Sequence, residues 1–221
     1  MKFDDVSMAL LGAELLYALV VFILCFIIFW RTKELYTLTQ HKGIYYFRRV
    51  FLFFGFAYFL RAVHVFVLLG TDYAHGSQIA NQISLFLIGF LSTMAVINLL
   101  ITVGLSCFSK IKHLILWSYV VAIIPSILVF TSRSPQILML AEGLILMVAL
   151  VLILRQSKKA FSANHTTFVM LAVFWIINIL AFVRDLFSPT ERILLYCVSA
   201  GIFVTIYFRV QKRISYVKKK R

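Results

Sequence analysis

Seven stretches of this chain, at about 8–30, 46–69, 79–105, 114–131, 136–154, 166–187 and 193–209, are apolar over a length that suits a lipid bilayer. A helix needs about 20 residues to cross a hydrocarbon core about 30 Å thick. Backbone amides in lipid have no water to bond, so only helices or a closed barrel satisfy them. The runs here are continuous rather than alternating, which excludes the in–out pattern of a barrel. The prediction is an all-α integral membrane protein with seven transmembrane helices. Apolar residues make up 62% of the chain, against about 45–50% in globular proteins. The loops left over are short and leave no room for a soluble domain.

Charge sorts by side. Counting alternate connections and the C-terminal end, 17 of the 22 basic residues fall on one face, opposed there only by Glu34. They run from Arg31 and Lys33 through Lys110 and Lys112 to Arg155 and the cluster ending at Arg221. The positive-inside rule then puts the N-terminus outside and the C-terminus in the cytoplasm of a plasma-membrane protein. The net charge of +14 is explained by that topology and by attraction of the tail to anionic lipid. A nucleic-acid role is not expected, because no folded domain is present to read a groove. Asp4 and Asp5 precede the first run in place of a basic region, so a cleaved signal peptide is not expected. Cys25, Cys107 and Cys197 fall in or at the ends of spans and read as buried thiols.

The chain also repeats itself. Arg31 and His41 stand ten positions apart, as do Arg155 and His165, and an amide precedes each histidine. Each phrase leads into a span that ends similarly, Phe56-Ala-Tyr-Phe-Leu-Arg61 and Leu180-Ala-Phe-Val-Arg184. Glu14 and Glu142 echo each other in the spans before. The reading is a 3+1+3 parallel internal repeat in a single seven-helix domain over 1–221. A first three-helix unit covers 1–105, a connector with the fourth helix 106–134, a second unit 135–210, and a basic cytoplasmic tail 211–221. Parallel repeats related by an axis along the membrane normal are one of the two repeat geometries of transporters.

This arrangement resembles the superfamily of SWEET sugar transporters, PQ-loop amino-acid carriers and KDEL receptors. The likeness covers the whole chain as architecture. It implies a substrate site at the interface of the repeats. The pattern differs in its prolines: none of Pro125, Pro135 and Pro189 lies in spans 1, 2, 5 or 6, and the Pro135-Gln136 pair opens span 5 at the outer end. Microbial rhodopsins share the span count, but span 7 has no lysine between Ile193 and Arg209 for a retinal Schiff base. The phrase His41-Lys-Gly-Ile-Tyr-Tyr-Phe-Arg48 is similar to uncharacterised small archaeal membrane proteins and brings no activity with it.

Ionisable groups inside a membrane cost about 2.5–3.5 kcal/mol each on insertion scales, which makes them functional candidates. Glu14, Arg61 and His64 from the first unit share one outer layer with Glu142, Arg184 and Asp185 from the second. Two readings stand. Glu14–Arg61 and Glu142–Arg184 are interhelical pairs that fix packing, or the layer is an outward vestibule for a charged or zwitterionic solute with a carboxylate free for proton coupling. Deeper in the membrane, Ser92, Thr93, Asn98, Asn178 and Ser199 either line a path or bond helix to helix. Gly12, Gly55, Gly89 and Gly201 permit close helix approach. The aromatic run of span 2, Phe47 to Phe59 with Tyr58 in it, reads as lipid contact and packing. Trp30, Trp117 and Tyr216 read as interfacial belts.

No paired aspartates, nucleophile dyad, metal set or haem histidine pair is present, so neither an enzyme nor a cofactor is expected. Two functional classes remain. The first is a small-solute transporter for a charged or zwitterionic metabolite, with Glu14, Arg61, His64, Asn98, Glu142, Asn178, Arg184 and Asp185 as its ligand-binding residues. The second is a receptor or sensor with an outward ligand site and a basic cytoplasmic face that docks a protein partner.

Overall fold

The fold, a computed structural model, is described for residues 5–70, 77–108, 111–132, 134–157, 163–182 and 187–219. Those residues form seven long helices and one short one. They are α1 (Asp5–Thr39), α2 (Lys42–Gly70), α3 (Ser77–Val103), the four-residue α4 (Leu105–Phe108), α5 (Leu114–Ser132), α6 (Pro135–Ser157), α7 (Ala163–Phe182) and α8 (Pro189–Lys219). Six of the long helices have the length and apolarity to cross a bilayer, and the apolar stretch of α7, Thr166–Ala181, is shorter among the described residues. The chain is therefore a helical membrane protein.

Local chemistry sets the helix ends. Gln40 takes a left-handed φ of 49° and stops α1, its amide donating to the Tyr36 carbonyl at 2.7 Å. His41 then starts α2, its Nδ1 accepting from the Gly43 amide at 3.1 Å. The helices α6 and α8 open on proline, which lacks the N–H that a helix start leaves unpaired. At α8 a capping box adds to this: the Ser188 amide donates to Glu191 Oε2 at 2.7 Å, and the Glu191 amide donates back to Ser188 Oγ at 3.4 Å.

The helix neighbours define the architecture. Helix α1 packs on α2 and α8, α2 on α3, α3 on α6, α6 on α7, and α7 on α8. Six helices thus close into a ring, and α5 lies outside it against α3 and α6. Inside the ring sits an aromatic core of Phe51, Phe54, Phe174, Trp175 and Phe203, all buried. Phe54 meets Trp175 at 4.5 Å and Phe174 meets Phe203 at 4.8 Å between ring centroids. Such pairs add about 0.5–1.5 kcal/mol each beyond the area they bury. Outward-facing Leu16, Phe66, Leu140, Leu144, Leu194 and Phe208 are exposed, as lipid-facing positions of a bundle should be.

Several expectations need correction. Helix α1 continues past the expected end at 30, and α8 runs to Lys219 through the segment read as a tail. Leu35, Val210 and Ile214 are buried there, so the two helices project together beyond the apolar spans with basic residues on their open faces. Cys197 is exposed rather than buried, whereas Cys25 is buried as expected; the Cys107 side chain lies outside the described residues. Of the small-residue positions, only Gly55 and Gly89 serve close approach. A Cβ at Gly55 would stand 3.1 Å from Cys25 Cβ, and one at Gly89 3.4 Å from Leu138, whereas Gly12 and Gly201 face open space. Gly55→Val is expected to lower stability by about 2 kcal/mol through overpacking of the α1–α2 contact, and Gly12→Val to leave it unchanged. Thermal unfolding in detergent measures both.

Candidate functional site

Among the described residues, two clusters of polar side chains join neighbouring helices across the apolar interior. The first joins α1, α2, α7 and α8. Three positions separate Glu14 from Tyr17 on α1 and Tyr58 from Arg61 on α2, so each pair shares a helix face. Because α1 and α2 pack side by side, the two pairs meet. Arg61 Nε donates to Glu14 Oε1 at 2.9 Å, and Arg61 Nη2 lies 2.8 Å from the same oxygen. The side chains of this ion pair are 11% and 14% exposed. Arg61 Nη2 also donates to the Tyr196 hydroxyl at 3.4 Å, and its guanidinium stands 5.7 Å from the Tyr58 ring centre and 5.8 Å from that of Tyr196.

Directly against the ion pair lies a network of neutral hydroxyls around Asn178. Its geometry fixes the direction of every bond. Asn178 Nδ2 is 2.7 Å from the Phe174 carbonyl, an acceptor only, so this atom must be the amide nitrogen. Its second hydrogen goes to Ser199 Oγ at 2.9 Å. Asn178 Oδ1 then accepts from Tyr17 at 2.6 Å and from Tyr58 in a short contact. Tyr17 has given its only hydrogen to the amide, so Ser199 donates to Tyr17 across their 2.8 Å contact. The Tyr17 ring stacks on that of Tyr196 at 5.0 Å. The network bonds two helices near the start of the chain to two near its end.

The second group surrounds Glu142 on α6, only 6% exposed. Its Oε1 accepts from Ser92 in a short contact and from Thr93 at 3.4 Å, and its Oε2 accepts from Trp175 Nε1 at 3.5 Å. Gly89 and Leu138 bring α3 and α6 close, and one turn further along both helices the hydroxyls of α3 reach the carboxylate. Trp175 in turn packs on Phe54, which packs on Tyr58 at 4.6 Å. The two polar groups are thus separated by one aromatic layer.

The residues expected to form one ionisable layer separate into three cases. Glu14 and Arg61 pair as expected. Glu142 is bonded to neutral donors, and its expected partner Arg184, with Asp185, lies outside the described residues. His64 is half-buried on α2, one turn beyond Arg61. Of the deeper amides, Asn178 is the hub of the network, whereas buried Asn98 turns its amide back to the Met94 carbonyl of its own helix at 2.6 Å. Tyr17, Tyr58 and Tyr196 were not singled out from sequence. Tyr58 belongs to the polar network rather than to the lipid-facing aromatic run, while its neighbours Phe56 and Phe59 are exposed.

No protein-family model matches the chain, and no solved structure matches it. A protein of Archaeoglobus fulgidus described as uncharacterized is 27% identical in an alignment that covers 92% of this chain and 93% of that protein. The likeness runs across nearly the whole of both chains and assigns no activity.

Proposed function

We propose that this protein carries a small charged or zwitterionic solute across the cell membrane. In this reading Glu14 and Arg61 form the outer recognition pair, the N-terminus faces outward, and the basic end faces the cytoplasm. The observation that carries it is the placement of the ion pair. Glu14 and Arg61 retain limited exposure and sit directly against the Tyr17–Asn178–Ser199 network. A solute bearing both an ammonium and a carboxylate would replace each partner's counter-charge with its own, leaving no buried charge unpaired. The alternation of neighbours supports the parallel repeat, since α1, α2 and α3 adjoin one another in the order that α6, α7 and α8 do, with α3–α6 and α8–α1 as the matching seams. The polar network crosses the α8–α1 seam. Basic residues on the projecting ends of α1 and α8 are the contacts offered to anionic lipid.

A receptor or sensor is the second reading, and one observation favours it. Pro125 is the proline inside a helix interior, and it lies in α5, outside the ring. Among the described residues the ring helices therefore carry no interior proline, one of the breaks that alternating access commonly uses.

The experiment is a thermal-shift screen of the purified protein against charged and zwitterionic metabolites from about pH 5 to 8, beside Glu14→Gln. Saturable stabilisation by one class is expected, about 2.7 kcal/mol at a hundredfold excess over Kd, and absent in the variant. Flux into liposomes then separates carrier from receptor. If nothing stabilises the protein and Glu14→Gln is merely less stable, the ion pair is structural and the solute-binding reading falls.

A further inference from the structure

The two interior glutamates stand in opposite surroundings. Glu14 meets a guanidinium, whereas Glu142 meets three neutral donors. The helices packed against α6 are α3, α5 and α7. Helix α3 contains no acidic or basic residue. Helix α5 offers Tyr119, which accepts a bond from Arg49 of α2 at 2.9 Å. Helix α7 carries His165 ten positions before Trp175, and α6 itself carries Arg155 thirteen positions beyond Glu142, separations of about 15 and 20 Å along a helix. Arg133 and Arg184, in the adjoining connections, lie outside the described residues. Around Glu142 the described residues of α3, α5, α6 and α7 therefore provide hydroxyls and an indole, but no counter-charge.

The hydroxyl of Ser92 makes this arrangement workable in two states. It has one hydrogen and two acceptors within reach, Glu142 Oε1 and the Gly89 carbonyl at 3.2 Å. With the carboxylate ionised, Ser92 donates to Oε1. With a proton on Oε1, the acid donates to Ser92 Oγ, and Ser92 turns its hydrogen to Gly89. Thr93 and Trp175 keep their donor roles in both states. A proton arrives at or leaves one oxygen, one hydroxyl rotates, and no hydrogen-bonding group is stranded.

We propose that Glu142, Ser92 and Thr93 form a reversible proton-binding site within the bundle, the site that couples a proton to solute movement. Its coupling role rests on the carrier reading above; the proton site itself does not. The test is an infrared titration of the purified protein from about pH 5 to 9, in H2O and in D2O. The expected result is one carboxylic-acid carbonyl band per chain, shifted in D2O, lost as the pH rises, and missing in Glu142→Gln. Ser92→Ala should keep the band and displace its midpoint about tenfold in proton affinity, because a bond to a charged acceptor outweighs one to a neutral one. Should Glu142→Gln fail to fold, Glu142→Asp provides the assignment by moving the band. A chain with no such band at any pH, Glu142 being held ionised by a partner such as Arg184, overturns the proposal, as does a band that persists unchanged to the top of the range. A titrating band in a protein that neither binds nor moves any solute removes the carrier and leaves the proton site standing.

Discussion

Arg61→Gln is expected to lower the free energy of unfolding by about 3–5 kcal/mol, the range for breaking a buried ion pair from one side. Equilibrium unfolding in mixed micelles measures it. The change takes from Glu14 Oε1 both the Nε bond at 2.9 Å and the Nη2 contact at 2.8 Å. A carboxylate is left in a place that water barely reaches. The opposite substitution, Glu14→Gln, is expected to be milder, at about half that loss. The guanidinium it strands still donates to the Tyr196 hydroxyl and keeps the faces of Tyr58 and Tyr196, and cation–π contacts of this kind are worth about 1–2 kcal/mol when desolvated. In the double variant no uncompensated charge remains, so its loss should fall well below the sum of the singles. Additive singles would show that the two side chains do not act as a pair in the folded protein. The cycle also bears on the carrier reading. A solute that substitutes for the counter-charges should stabilise the natural protein saturably and neither single variant, because each variant has lost one half of the recognition pair.

The spans were legible because length and apolarity are properties of contiguous sequence, and lipid imposes them on one helix at a time. The extensions of α1 and α8 were not. Arg31, Lys33, Lys212 and Arg213 read as loop and tail, yet Leu35, Val210 and Ile214 continue a buried face at helical spacing among them. The Glu14–Arg61 pair was legible from depth alone, since consecutive antiparallel spans bring equal depths together. Glu142 was expected at Arg184 by the same logic. Its observed partners Ser92 and Thr93 stand on α3, and the contact of α3 with α6 follows from ring closure rather than from chain order. The tyrosines were hidden by their company, as Tyr58 sits in a run of phenylalanines whose bulk suggests packing. A sharper signal was available in the spacing of three between Glu14 and Tyr17 and between Tyr58 and Arg61, which puts a hydroxyl one turn below each charge on the same face.

Asn178→Leu should be the second costly change, because the amide is the one side chain that all the others in its network address. It makes four bonds, two donated to Phe174 and Ser199 and two accepted from Tyr17 and Tyr58. At about 0.6–1 kcal/mol for each bond within a membrane bundle, the loss comes to about 3 kcal/mol. Part of the network heals: Tyr17 retains Ser199 at 2.8 Å, and Tyr58 retains only the longer 3.3 Å contact with Tyr17. Tyr58 is therefore the group left worst served, and this gives the prediction its sharpest form. In the natural sequence Tyr58→Phe should cost about 1 kcal/mol, the worth of one bond. In the Asn178→Leu background the same change should cost much less, since the hydroxyl it removes has already lost its short bond to the amide and keeps only the 3.3 Å contact with Tyr17. Equal costs in the two backgrounds would mean that Tyr58 does not bond Asn178 in the membrane. The outcome matters for function because this network spans the seam between α1 and α8, so any motion that opens the seam must first separate Tyr17 from Asn178 and Ser199. A bundle held there by several weak neutral bonds, rather than by one buried charge pair, can part and re-form without ever stranding an ion in lipid.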